Sequence, residues 1–234
     1  MNQPALNPKV FDAYAAQYDA ALEKGISVSG EGKEYFARGR VLWLGKLLGK
    51  LGQAPKSVLD FGCGTGTAAG FLQEILAPDS ILGVDVSLNS LEVARRTHGG
   101  QRTKFVSLGE YEPDGRFELA FCNGVFHHVA LSERAGAVNY IWRSLRPGGL
   151  FAFWENNPWN PGTRIVMSRI PFDRDAVTLS PIAGRRLLKE GGFKVIRTDF
   201  QFIFPRALRR LRGLERVFCR LPFGAQYQVL GRRQ

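Results

Sequence analysis

The sequence predicts an α/β fold: a sheet of seven strands, most of them parallel, flanked by helices and preceded by an N-terminal helical cap. Three observations carry this prediction. From Lys56 onward, short apolar runs ending in Gly, Asp or Asn alternate with longer stretches of helical periodicity, the pattern of successive βαβ units. The first such run ends in Asp60 and opens into Gly62, Gly64 and Gly66, a turn whose backbone can approach a ligand more closely than a Cβ permits. A chain of 234 residues, 44% hydrophobic and 12% aromatic, can bury one core and still carry a cap.

The cap is expected over residues 1–54. Phe11, Tyr14, Ala15 and Tyr18 recur at helical spacing, and a second periodic run extends from Tyr35-Phe36 to Leu51. The core is expected over 55–234, with strands at Ser57–Asp60, Ile81–Val84, Lys104–Val106, Leu119–Asn123, Leu150–Trp154, Phe193–Thr198 and Gln226–Gly231. Helices fall at about 67–77, 88–97, 132–145 and 182–190. Pro147-Gly148-Gly149 should end the third of these helices and turn the chain into the fifth strand. Insertions at about 155–180 and 200–224 complete the plan.

Composition narrows the function classes. No run of about 18 apolar residues occurs and Met1-Asn2-Gln3-Pro4 does not resemble a signal peptide, so a cytoplasmic protein is expected. Cys63, Cys122 and Cys219 are odd in number and lack CxxC or Cys/His spacing, which suggests neither a disulfide framework nor a zinc site. The net charge of +11 is unevenly placed: residues 161–234 hold 16 Lys/Arg against 5 Asp/Glu, and the remainder of the chain is balanced. A localised basic surface suggests an anionic partner, whether small molecule, phospholipid surface or nucleic acid.

The glycine loop selects the ligand class. A dinucleotide loop needs G-x-G-x-x-G, but Thr67 stands where its last glycine belongs, and the spacing is G-x-G-x-G. Asp85, at the end of the second strand, offers a carboxylate for two ribose hydroxyls. Together with Asn123-Gly124-Val125-Phe126-His127-His128 and Leu145-Arg146-Pro147-Gly148-Gly149, the segments Val58–Gly66 and Gly83–Ser87 resemble, in order, the motifs of class I S-adenosylmethionine-dependent methyltransferases, of the small-molecule type. The resemblance covers roughly residues 56–155. It implies the class I methyltransferase fold, with an antiparallel seventh strand, and S-adenosyl-L-methionine as cofactor, leaving S-adenosyl-L-homocysteine as product. It assigns the cofactor's amino-acid end to the loop Asp60, Gly62, Cys63, Gly64 and Gly66, the ribose to Asp85 and adenine packing to Val86. Gly109-Glu110-Tyr111 departs from the family's Gly-Asp, with Glu110 in the adenine-contact position. Asn123 matches the position flanking the methionine, and Tyr18 and Arg40 resemble cap residues that close over it.

Acceptor chemistry is sought at the carboxyl ends of the parallel strands, in the cap, His127-His128, Glu155–Ser180 and Phe200–Gly224. Methyl transfer from a sulfonium needs an aligned acceptor and, for a hydroxyl or ammonium, removal of a proton. His127, His128 and Glu155 are the candidate catalytic groups; packing or helix capping is the alternative for the histidines. Asn156, Asn157 and Arg164 are the candidate acceptor-binding groups, with turn formation the alternative for the asparagines. Pro205–Leu221 reads as a basic amphipathic helix, with Leu208, Leu211, Leu214, Val217, Phe218 and Leu221 at helical spacing and arginines on other faces. It is either a lid packing its apolar stripe on the domain or a surface that docks on the inner face of an anionic membrane and gathers a lipid-linked acceptor. The absence of an Asp/Asn-Pro-Pro-aromatic motif after the fourth strand argues against nucleic acid as substrate. A catalytically silent cofactor-binding subunit serving a partner is a further reading.

Overall fold

The structure, a computed structural model, describes residues 18–173 and 176–234, the side chains of residues 18–20 excepted. Phe11, Tyr14 and Ala15, and the side chain of Tyr18, therefore lie outside the described part. The chain opens with helices α1 (Tyr18–Ile26) and α2 (Lys33–Lys50). The sheet then unfolds as β1 (Ser57–Phe61), α3 (Thr67–Leu76), β2 (Ser80–Asp85), α4 (Leu88–His98), β3 (Thr103–Ser107) and β4 (Phe117–Asn123). It continues with α5 (Arg134–Ser144), β5 (Leu145–Asn156), α6 (Pro161–Arg169), α7 (Pro181–Glu190), β6 (Phe193–Gln201), the short α8 (Glu215–Phe218) and β7 (Gln226–Arg233).

The strands form one sheet in the order β3-β2-β1-β4-β5-β7-β6, parallel except for β7, which runs antiparallel to both neighbours. The order reverses between β1 and β4, so their carboxyl ends open a crevice there. Apolar runs become strands because both faces are covered: from Val58 to Phe61 and from Leu150 to Trp154, each residue is buried. Two apolar clusters sandwich the sheet, one around Phe61, Phe126, Tyr140 and Phe153, the other around Leu44, Leu72, Phe121 and Trp154. Each of the fully buried Leu and Phe side chains among them contributes roughly 1.5–3 kcal/mol by leaving water.

Helix starts follow the local chemistry. Ser87 accepts from Ser90 N at the start of α4; Asn160 and Ser180 do the same for Thr163 N and Ala183 N, each followed by Pro at the first helical position. Two expectations need correction. Helix α5 ends at Ser144 and β5 already begins at Leu145, which pairs with Phe117; a register shift before Leu119 absorbs Pro147-Gly148-Gly149 inside the strand's irregular start. Nor is 205–221 one amphipathic helix: Arg206–Leu214 is a 3-10 stretch with non-helical dihedrals at Leu208, followed by the single turn of α8. No helix among the described residues is long and apolar enough to cross a membrane.

Candidate active site

A cavity of about 540 Å³ occupies the crevice. Its lining includes Asp60, Gly62, Cys63, Gly64 and Asn123 around the first strand's end, His127, His128, Asn156 and Asp173 around the fourth and fifth, and Tyr35, Phe36 and Arg40 of α2 with Phe202.

The glycine loop is held in shape by strand backbone: Gly62 N and Cys63 N both donate to Val84 O. Gly62, at φ +70, packs so tightly that a Cβ would lie 2.3 Å from Val125 Cγ2. Gly62→Ala is therefore expected to cost about 1–3 kcal/mol in stability from strain alone and to displace the loop. A thermal-melt comparison checks it, and a variant as stable as the parent would count against the tight approach. Gly64, at φ +51, meets nothing within 4 Å and leaves open space in the cavity wall. Two buried oxygens at this end, Asp60 Oδ2 and Asn123 Oδ1, have no hydrogen-bond partner among the described residues. Burial pushes the Asp60 carboxyl up to about 7, helped by Asp85 and opposed by Arg40. Orphaned acceptors beside a glycine cradle fit a ligand that brings its own N–H donors, as the amino-acid end of S-adenosylmethionine would.

The remaining cofactor candidates are distributed as follows. Asp85 lies outside the cavity lining and uses its carboxylate on the loop itself, accepting from Gly64 N at 2.8 Å and from Ser87 N at 2.9 Å. Val86 is half-buried against the core. Glu110 is exposed and accepts from Ser107 N, which holds its carboxyl below the ordinary value. Arg40 is buried, lines the cavity and donates to Gln226 Oε1 at 2.9 Å.

Around the ends of β4 and β5 the fold assembles a charged cluster. Glu155, 1% exposed, accepts from Phe126 N through Oε1 (2.8 Å) and holds His127 Nδ1 through Oε2 (2.7 Å). His127 Nε2 and His128 Nε2 then stand 3.5 and 3.3 Å from Asp173 Oδ1. Burial alone would lower the His127 pKa, but Glu155 and Asp173 outweigh it and raise it to about 10. In His128 burial prevails and the pKa falls. Asp173 is lowered: burial pushes it up, and the two histidines overcome that.

Sequence reasoning missed Asp173, which sits on a separate turn, Pro171–Asp173, with no spacing relation to the histidines. It also missed the aromatic roof, in which Phe202 meets Tyr35 and Phe36 edge-on at 5.8 and 5.0 Å and adopts φ +63, a strained backbone for a bulky residue. Arg212 stacks over Tyr35 at 4.5 Å and pairs with Glu31, tying the segment after β6 to the start of α2. Among the acceptor candidates only Asn156 reaches the cavity. Asn157 is fully buried and ties Pro222 O and Gly224 O, so it holds two loops together. Arg164 is exposed on α6 and does not line the cavity.

Residues 58–149 match the family model of a methyltransferase domain. A trans-aconitate 2-methyltransferase of Rhizobium leguminosarum bv. trifolii is 30% identical over 100 residues, 43% of this chain and 38% of that protein. A demethylmenaquinone methyltransferase of Thermus thermophilus is 31% identical over 129 residues, 53% of this chain and 58% of its own length. The match thus spans well under two thirds of these curated relatives. Among solved structures, an S-adenosylmethionine-dependent methyltransferase of Thermotoga maritima superposes with a TM-score of 0.63 at 18% identity, covering 97% of this chain and 99% of that one. The methyltransferase complexed with the Trm112 activator of Haloferax volcanii gives 0.62 at 19% identity, over 95% and 96%.

Proposed function

We propose that this chain, a class I S-adenosylmethionine-dependent methyltransferase by its residues 58–149 and its sheet, methylates a small-molecule or lipid-linked, anionic acceptor. The observation that carries the reading is the continuity of the cavity, which joins the glycine cradle and its orphaned acceptors to the His127, His128 and Asp173 cluster. When bound, S-adenosylmethionine supplies a methyl group on a positively charged sulfur. The loop Gly62–Gly66, Asp60, Asn123 and Arg40 would hold its amino-acid end, Asp85, Val86 and Glu110 would serve the ribose and adenine, and Tyr18 is the further residue assigned to close over it.

The protein's contribution is placement. Glu155 fixes the His127 ring through Nδ1, so that Nε2 faces the cavity, and Asn156 borders the same space. His127, His128 and Glu155 are the groups assigned to acceptor handling, and alignment of acceptor against donor accounts for most of the rate enhancement expected of such a transfer. The names of the trans-aconitate and demethylmenaquinone relatives support an acceptor of this size class. Isothermal titration with S-adenosylhomocysteine tests the donor half: one site per chain is expected, and no heat at millimolar ligand would overturn the reading.

The basic ridge supports the lipid-linked option. Leu208, Leu211, Leu214, Val217, Leu221 and Phe223 are all more than 40% exposed. The arginines Arg209, Arg210 and Arg216 beside them are exposed and make no ion pair among the described residues. Pro205 and Arg212 of the same segment line the cavity. Apolar side chains beside unpaired cations suit an anionic bilayer surface, where each arginine is worth about 1 kcal/mol. Replacing Arg209, Arg210 and Arg216 by Ala is expected to weaken sedimentation with anionic vesicles on the order of 100-fold. Equal binding to neutral vesicles would count against the surface.

A further inference from the structure

We propose that His127 Nε2, His128 Nε2 and Asp173 Oδ1 form a site for a divalent first-row transition ion of the zinc type, open to the acceptor end of the cavity. The three ligand atoms lie within 4.8 Å of one another, and all three residues line the cavity.

The distances suit coordination better than hydrogen bonding. A charge-assisted N–H···O bond closes to about 2.7–2.9 Å. Here the two nitrogens stand 3.3 and 3.5 Å from Asp173 Oδ1, longer than such a bond, and this buried oxygen has no closer hydrogen-bond partner among the described residues. Zinc bonds of about 2.0–2.2 Å place neighbouring ligands of a tetrahedron about 3.3–3.5 Å apart, the spacing of the two nitrogen–oxygen pairs.

Charge points the same way. Glu155 and Asp173, 1% and 7% exposed, flank His127 at its two ring nitrogens, and buried carboxylates require compensating positive charge, of which Arg134 supplies a share at Glu155. A proton on His127 supplies one unit; a divalent ion in its place supplies two. Glu155 completes the arrangement from behind: by accepting from Nδ1 it fixes the tautomer in which His127 Nε2 is a ligand, as the carboxylate partner of a metal-bound histidine does. Two imidazoles and one carboxylate favour zinc, cobalt or ferrous iron over magnesium or calcium, which take oxygen sets. Three protein ligands leave a position facing the cavity, available to a carboxylate or ionised hydroxyl. That last assignment rests on the methyl-transfer reading; ion binding itself does not.

Cobalt(II) titration of the chelator-stripped full chain, without methyl donor, tests the site by calorimetry and visible absorption. One ion per chain is expected, with the ligand-field bands of a four- or five-coordinate nitrogen-containing site. Asp173→Asn and His128→Gln should each abolish these bands, Glu155→Gln should weaken binding about 10–100-fold, and His98→Gln should leave it unchanged. A thermal melt establishes that each variant is folded, and His128→Gln, at a partly exposed ring, decides should Asp173→Asn fail to fold. No cobalt bound at millimolar concentration, or parent-like spectra in a folded His128→Gln chain, would overturn the proposal whatever the outcome with S-adenosylhomocysteine.

Discussion

Asp60→Asn is expected to stabilise the ligand-free protein at pH 8 while weakening its hold on S-adenosylhomocysteine. The carboxyl titrates at about 7 in the folded chain against an ordinary 3.8. Below pH 4 both states are protonated and the group costs nothing. As pH rises from about 4 to 7 the unfolded chain has released its proton and the folded chain still holds it, so stability falls, and above 7 the loss is complete. Three units correspond to on the order of 4 kcal/mol. Asparagine is neutral throughout, so its advantage should grow over that window and then level off, with a melting temperature raised by roughly 10 °C at pH 8 and unchanged at pH 4. In return the variant loses the charged acceptor for the cofactor's amino group, a charged hydrogen bond worth about 1.5–3 kcal/mol, or roughly 10–150-fold in affinity. Melts at the two pH values and one titration suffice; an unchanged melt at pH 8 would show that Asp60 ionises without penalty.

That strain sits where the sequence was most legible, and for the same reason. A loop that must admit a ligand declares itself through glycines, and a strand buried on both faces declares itself through an unbroken apolar run, so β1, β2 and the turn after them were readable from Val58 to Asp85. What local pattern does not record is where distant segments meet. Asp173 joins the histidines only because Pro171–Asp173 folds back over the turn Phe126–His128, where Val177 N also donates to His127 O. Asn157 resembled a ligand group in sequence, yet the loop before β7 takes up its amide. The arginine-rich segment misled for another reason. Its periodicity is helical, but Pro205 and the turn at Leu208 break it, and Glu215 is drawn inward to accept from Ile203 N and Phe204 N. The apolar stripe is thereby left facing solvent instead of the domain.

Glu155 is the residue whose loss should be felt most widely. Alanine there removes the acceptor for Phe126 N and the partner of His127 Nδ1 together, in a place where water does not reach either group. Breaking a buried charged pair from one side costs about 3–5 kcal/mol, against which a 234-residue domain has little reserve. The urea midpoint of Glu155→Ala should drop accordingly, and Glu155→Gln, which keeps the shape and one acceptor, should lose about 1.5–3 kcal/mol. The isosteric variant separates lost charge from an empty cavity, since only the former persists in it. Its second consequence is chemical. With Glu155 neutral no charged acceptor holds His127 Nδ1–H, so the ring is less firmly held in the orientation that presents Nε2 to the cavity, while the glycine cradle makes no contact with the substituted side chain. S-adenosylhomocysteine should therefore bind Glu155→Gln as it binds the parent, and methyl transfer should fall. A Glu155→Gln chain that loses cofactor affinity and transfer in equal proportion would instead mean that the two ends of the cavity are one mechanical unit, and that Glu155 acts on the donor loop through Phe126 rather than on the acceptor.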